Sequence, residues 1–208
     1  MIDLRPWLPR EPENDPTPSH FPKSGMTIHY QGVDVARDMS DAEAQVLIES
    51  DALFHIRKEW APGVYGGGLM YAIVIAPSGT TYQTRDLDAV LWHAGDAQGN
   101  SDTTPVLVLA GPNTPPTPAQ YRSLGSVLMG QTTYPHSYWS ATSCPGDALR
   151  QWLEYGTPED DMDEETVKRL VREVLTEDGY PNFVTDVGTR LAKDAHHTHE
   201  TGEPIEKA

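Results

Sequence analysis

Two runs of apolar and β-branched residues, Leu69–Ala76 and Val106–Ala110, constrain this chain more than anything else in it. Segments with no polar face read as strands buried in the interior. Pro77-Ser78-Gly79 follows the first run as a turn, with proline at its second position and glycine at its end. Thr80–Thr84 then returns as a hairpin partner. Met26–Tyr30 also has strand character, with Thr27 and His29 on one face and Ile28 and Tyr30 on the other.

Helix starts are marked by side chains that can satisfy the first free N–H groups. Ser40-Asp41-Ala42-Glu43 is a capping box, and the stripe Ala44, Leu47, Ile48 and Phe54 carries a helix to about Trp60, with Pro62-Gly63 as its stop. Gly66-Gly67-Gly68 reads as a flexible approach to the next strand. Thr117-Pro118-Ala119-Gln120 is a second capping box with proline at the first helical position. Its helix should bury Tyr121, Leu124, Val127 and Leu128 and end at Gly130. A further helix follows Cys144-Pro145-Gly146, with Leu149, Trp152 and Leu153 inward and Gly156 as its stop.

The ends differ in composition. Residues 1–24 hold six prolines and read as an extended arm, lying on a domain or free, with no element of its own. Residues 157–208 read as an acidic helical extension with a disordered tail, in which Val167, Leu170, Val171, Val174 and Leu175 share one helical face. That extension is expected to pack on the domain or to mediate self-association. A length of 208 residues suits one catalytic domain with such extensions.

A formal charge of −16 argues against non-specific binding to nucleic acid or to an anionic membrane, since an acidic surface repels phosphate. No stretch approaches membrane-spanning length, so membrane insertion is not expected. Met1–Gly25 carries proline and charge where a signal peptide would carry an apolar run. The expectation is synthesis in the cytoplasm as a soluble chain that needs help to leave.

The single cysteine, Cys144, cannot form an internal disulfide and is therefore a buried thiol, a nucleophile or a metal ligand. It lies eight residues after His136. A thiolate and an imidazole are ligands that zinc prefers, and His29 would supply a third, leaving one position open for catalysis. Each residue also has a plain reading: His29 as a structural strand histidine, and Cys144 as a small buried apolar side chain. The tail histidines His196, His197 and His199 read as solvated, and His20 and His55 belong to no motif.

The order of these pieces resembles the zinc-dependent N-acetylmuramoyl-L-alanine amidases, the group that includes phage amidase-type endolysins and peptidoglycan recognition proteins. Thr27-Ile28-His29-Tyr30 resembles the first-strand motif with the first zinc histidine. Tyr71–Ile75 and Ser78–Arg85 resemble the central hairpin, whose leading tyrosine faces the metal. Trp92-His93-Ala94-Gly95 with Asn100 is similar to the segment at the substrate groove, and His136 with Cys144-Pro145-Gly146 to the remaining two ligands. The likeness covers about residues 25–155, giving an amidase domain over 25–156.

The resemblance implies an α/β fold: a mixed central β-sheet flanked by helices, with zinc in a surface groove. It implies Zn2+ held by His29, His136 and Cys144, and Tyr71 and Thr142 as catalytic groups. It also implies that His93 and Asn100 contact substrate, the plain reading of His93 being a turn histidine with a structural hydrogen bond. The reaction implied is hydrolysis of the amide between N-acetylmuramic acid and L-alanine of peptidoglycan. Phage members often carry lysine where Thr142 stands, and recognition proteins with amidase activity often carry threonine, which leaves the role of Thr142 open. Two alternatives within the family are a binding module that has lost catalysis and a cytoplasmic amidase that recycles soluble muropeptides. The second generally has aspartate where Cys144 stands. The setting that fits best is a phage or prophage endolysin that reaches the wall after release.

Overall fold

The structure is a computed structural model and describes residues 1–11, 13, 22–61 and 63–155. The helices and tail expected beyond Thr157, and the middle of the proline-rich arm, lie outside the described residues.

A six-stranded sheet forms the frame. Its strands are β1 (Ile2–Asp3), β2 (Gly25–Tyr30), β5 (Ile73–Ile75), β6 (Thr81–Gln83), β7 (Thr103–Val108) and β8 (Thr133–Pro135), in the order β1-β6-β5-β7-β2-β8. Only the β5–β6 hairpin is antiparallel; every other neighbouring pair in this sheet is parallel. A separate antiparallel pair joins β3 (Glu59–Ala61) to β4 (Val64–Tyr65).

The period of two along each strand divides the core. Val74, Tyr82, Leu107 and Leu109 pack with Ala44, Ile48 and Ala52 of helix α1 (Asp41–Arg57). Ile28, Ile73, Ile75, Val106 and Val108 face the other way, onto Leu124 and Leu128 of helix α3 (Pro118–Leu128) and Leu149 of helix α4 (Asp147–Tyr155). The mixed sheet flanked by helices is the architecture expected.

Both capping boxes form reciprocally, Ser40 with Glu43 and Thr117 with Gln120. Gln120 also ties α3 to the sheet, its buried Nε2 donating to the Ile75 and Leu109 carbonyls at 3.1 and 3.0 Å.

Four local expectations differ from the structure. Helix α1 stops at Arg57 rather than near Trp60, because Lys58 is extended and Trp60 enters β3. The indole of Trp60 turns back to donate to the His55 carbonyl at 3.2 Å. Leu69–Ala76 is buried apart from the partly covered Tyr71, yet only Ile73–Ile75 keeps ladder geometry. The strand expected at 106–110 runs from Thr103 to Val108 and follows a short helix, α2 (Ala97–Asp102), that apolar periodicity does not announce. Finally, the arm has an element: Ile2–Asp3 pairs with Tyr82–Gln83 as β1, and Leu4 joins the core. Among the described residues, no helix is long and apolar enough to cross a membrane.

Candidate metal centre

The parallel register of β2 and β8 builds the site. Ile28 stands opposite Pro135, so the next residue of each chain segment, His29 and His136, emerges side by side where β8 ends. Their ring centroids are 4.4 Å apart. Ligand sites at the carboxyl ends of parallel strands are the general rule in α/β sheets. His136 opens a short 3₁₀ turn, His136–Tyr138, and the chain then returns so that the Ser137 N–H donates to the Cys144 carbonyl at 3.1 Å. Thr142 Oγ1 accepts from the Cys144 N–H at 3.2 Å, shaping the loop that carries the thiol.

The donor atoms of His29, His136 and Cys144 lie within 4.8 Å of one another. Cys144 Sγ and His29 Nδ1 are 3.7 Å apart. That matches the edge of a tetrahedron with metal bonds of about 2.0–2.3 Å, roughly 3.3–3.8 Å. His136 Nδ1 is buried with no hydrogen-bond partner, although buried polar nitrogens are nearly always paired. A buried, unpartnered imidazole nitrogen on a ring beside a second imidazole and a thiol is the arrangement a cation would complete. The donor set, two nitrogens and one sulfur, is the kind zinc takes.

Burial sets the charge state of each group. It holds the His29 imidazole well below its ordinary value, helped by the neighbouring rings of His93 and His136. It also lowers His136. The Cys144 thiol is pushed up to about 12, chiefly by burial, with a weaker opposing contact from the Tyr30 backbone. Both imidazoles are therefore neutral, as ligands must be, and a thiolate here needs a cation beside it.

Tyr71, just before β5, places its ring 5.1 Å from that of His29. Burial first, then the nearness of Cys144 and Asp51, raises its phenol above the ordinary value, so it stays protonated. On the far side of Tyr71 lies His55, with ring centroids 5.8 Å apart. His55 is a buried neighbour of the site that the sequence does not single out: it stands in no motif, and only the fold brings α1 against Tyr71.

His93 and Asn100 sit behind the cluster. His93 is 6% exposed, and its Nδ1 lies 3.0 Å from His29 Nε2. Asn100 accepts through Oδ1 from the N–H groups of His93 and Ala94 at 2.9 and 2.8 Å. Both were expected to contact substrate; here His93 meets a candidate ligand, and the Asn100 carbonyl oxygen is engaged by backbone. The Ala94 carbonyl in turn faces His136 Nε2 at 3.2 Å, and Ser140 Oγ lies 3.0 Å from the same nitrogen.

In this α/β domain two imidazoles and one thiol converge at the ends of parallel strands, an arrangement that could hold a metal ion. Residues 21–147, more than half of the chain, match the family model described as N-acetylmuramoyl-L-alanine amidase, and the chain belongs to that family. No curated protein sequence matches it. Solved structures share the fold. Peptidoglycan recognition protein-LE, solved in complex with tracheal cytotoxin, is 19% identical, with TM-score 0.61 over 79% of this chain and 97% of its own. Wild-type Drosophila PGRP-LB is 16% identical, with TM-score 0.60 over 77% and 98%. Human PGRP-IβC, solved in complex with glycosamyl muramyl pentapeptide, is 14% identical, with TM-score 0.60 over 74% and 94%.

Proposed function

We propose that the chain hydrolyses the amide joining N-acetylmuramic acid to L-alanine in peptidoglycan, with zinc held by His29, His136 and Cys144. One observation carries this reading: three metal-binding side chains converge beside Tyr71 in a member of the amidase family. Zinc in such a site supplies Lewis-acid polarisation of a carbonyl and lowers the pKa of water to about 7.

The rest is the work of the chain's own groups. Attack on an amide carbonyl builds negative charge on its oxygen, and a preorganised donor there lowers the barrier. Tyr71 suits that role, because its phenol keeps its proton and its ring is fixed against His29. Thr142 spends an oxygen lone pair on the Cys144 N–H and retains its hydroxyl proton for donation. It brings no charge, so stabilisation of the oxyanion rests mainly on Tyr71. The neutral imidazoles hold their lone pairs for the metal.

Digestion of purified peptidoglycan tests the proposal. New L-alanine amino groups and new reducing sugar ends are followed together, with and without a zinc chelator. Chelator-sensitive release of amino groups without new reducing ends is the expected result. Wall binding with no release in the presence of zinc would overturn it and leave recognition as the activity.

A further inference from the structure

We infer that the segment His93–Ala94, pinned by Asn100, is the outer shell of the metal centre and fixes the tautomer of both histidine ligands. The inference rests on the metal-binding reading above, and it assigns His93 and Asn100 positioning roles in place of substrate contact.

The hydrogen bonds define proton positions one after another. A carbonyl can only accept, so His136 Nε2, facing the Ala94 oxygen at 3.2 Å, carries the proton. Its Nδ1, buried and without a hydrogen-bond partner, is left with the lone pair that His136 can offer a cation. Ser140 Oγ, at 3.0 Å, shares the same N–H as a second acceptor.

The His29–His93 pair needs one more step, since either ring could donate across the 3.0 Å contact. The His29 nitrogen that lies 3.7 Å from Cys144 Sγ is Nδ1, so a cation held between them takes the Nδ1 lone pair and leaves the His29 proton on Nε2. With His29 donating from Nε2, His93 Nδ1 is the acceptor, and the neutral His93 ring carries its own proton on Nε2. Both ligands thus offer the same nitrogen, and two consecutive residues determine it: one through a side chain, the other through a carbonyl.

Asn100 makes this pair of contacts a unit. By accepting from both N–H groups it holds His93 and Ala94 at fixed positions. Helix α2, which carries Asn100, is anchored by a buried relay. Trp139 Nε1 donates to Thr27 Oγ1 at 2.9 Å, the Thr27 and Thr103 hydroxyls lie 2.7 Å apart, and Thr103 Oγ1 donates to the Gly99 carbonyl at 2.7 Å. Outer-shell partners of this kind fix the ring and raise the basicity of metal-ligating histidines.

The test combines tautomers with metal affinity. Long-range proton–nitrogen NMR of the histidine rings in the full chain, metal-free and zinc-loaded, should show His29, His93 and His136 all protonated on Nε2, and zinc on Nδ1 of His29 and His136. By chelator competition, His93→Phe should bind zinc roughly 10–100-fold more weakly, and His93→Asn, which restores an acceptor near the Nδ1 position, should recover most of the loss. His29 protonated on Nδ1 in the metal-free chain would overturn the inference. So would His93→Phe that holds zinc as tightly as the parent. The NMR arm needs no variant, so a His93→Phe chain that fails to fold leaves the inference exposed to disproof. If the parent binds no zinc, or Cys144→Ser binds it as tightly, the metal-centre reading itself fails, and that result is distinct from a parent that binds while His93→Phe binds equally.

Discussion

Cys144 and Tyr71 allow the proposed metal binding to be tested apart from the proposed chemistry. A thiol pushed up to about 12 becomes a thiolate only beside a cation, and a serine hydroxyl cannot take that role at neutral pH. Cys144→Ser should therefore lose tight zinc binding and amidase activity together. Tyr71→Phe removes a donor and no ligand, so zinc stoichiometry should be unchanged. Its turnover should fall roughly 100-fold, the typical loss of one oxyanion donor. Metal analysis beside a peptidoglycan turnover assay decides both, and full turnover by Tyr71→Phe would remove the tyrosine from the mechanism. His55 makes a prediction of another kind. Its ring is buried, its Nδ1 has no hydrogen-bond partner, and burial, with Lys58 adding to it, lowers it to about 4. The folded-state value lies below the unfolded one of about 6.5, so the unfolded chain binds the extra proton. Stability from the neutral ring is complete above about pH 6.5 and is lost as pH falls through about 4. The loss amounts to at most roughly 3 kcal/mol. His55→Phe should flatten the stability profile between those limits by up to one proton, seen as a diverging difference in urea unfolding free energy. Parallel profiles would show that the ring is solvated in the fold.

The elements show how far the sequence was readable. Both capping boxes were legible because their partners lie three residues apart, as were the buried runs, whose composition marks them as interior. What failed was non-local. Nothing near Lys58 marks the end of α1, since Trp60 is drawn out of the helix by pairing with β4 and by its bond to the His55 carbonyl. Helix α2 carries no apolar stripe; the signal it does have is Asp96, whose side chain accepts from the Gly99 N–H. At the site, the motif order identified His29, His136 and Cys144, which the fold brings together. That His93 Nδ1 lies against the His29 ring could not be read, because spacing in the sequence does not tell which distant neighbour a side chain meets. Gly99 tests the importance of α2. A Cβ there would lie 2.7 Å from Ala94 Cβ and 2.8 Å from the Trp139 ring, closer than real contacts allow. Gly99→Ala must push α2 away from Ala94, at a cost of roughly 1–3 kcal/mol for overpacking. Ala94 carries the carbonyl that faces His136, so zinc affinity should drop along with the unfolding midpoint. Calorimetric zinc titration on the folded variant measures the first effect separately, and unchanged affinity would show that α2 only stabilises the fold.

Across the described domain, the half that carries the candidate site and the half that supports it occupy different edges of one sheet. The candidate metal cluster hangs from β2 and from the end of β8, while β1 closes the opposite edge against β6. An unpaired edge strand is a template for aggregation, and the first residues of the chain cover it. Ile2 and Asp3 pair with Tyr82 and Gln83, the Leu4 N–H donates to the Gln83 carbonyl at 2.8 Å, and Leu4 enters the core beside Tyr82. Arg5 bonds Asp3 and Asp86, with side chains about a third to a half exposed, so these ion pairs contribute little next to the backbone pairing and Leu4. Removing residues 1–11 therefore exposes the β6 edge and opens a hole in the core on the α1 side. Losing one buried leucine alone costs roughly 2–5 kcal/mol. The shortened chain should unfold at clearly lower urea concentration and aggregate more readily. Its folded fraction should bind zinc as the parent does, because no atom of the cluster or of its outer shell comes from those residues. Leu4→Ala should reproduce most of the stability loss without the aggregation, since β1 still covers the edge. A shortened chain as stable as the parent would mean that the first strand lies on the sheet without supporting it. A shortened chain that folds and yet binds zinc more weakly would mean that the two halves are coupled through β5 and β7.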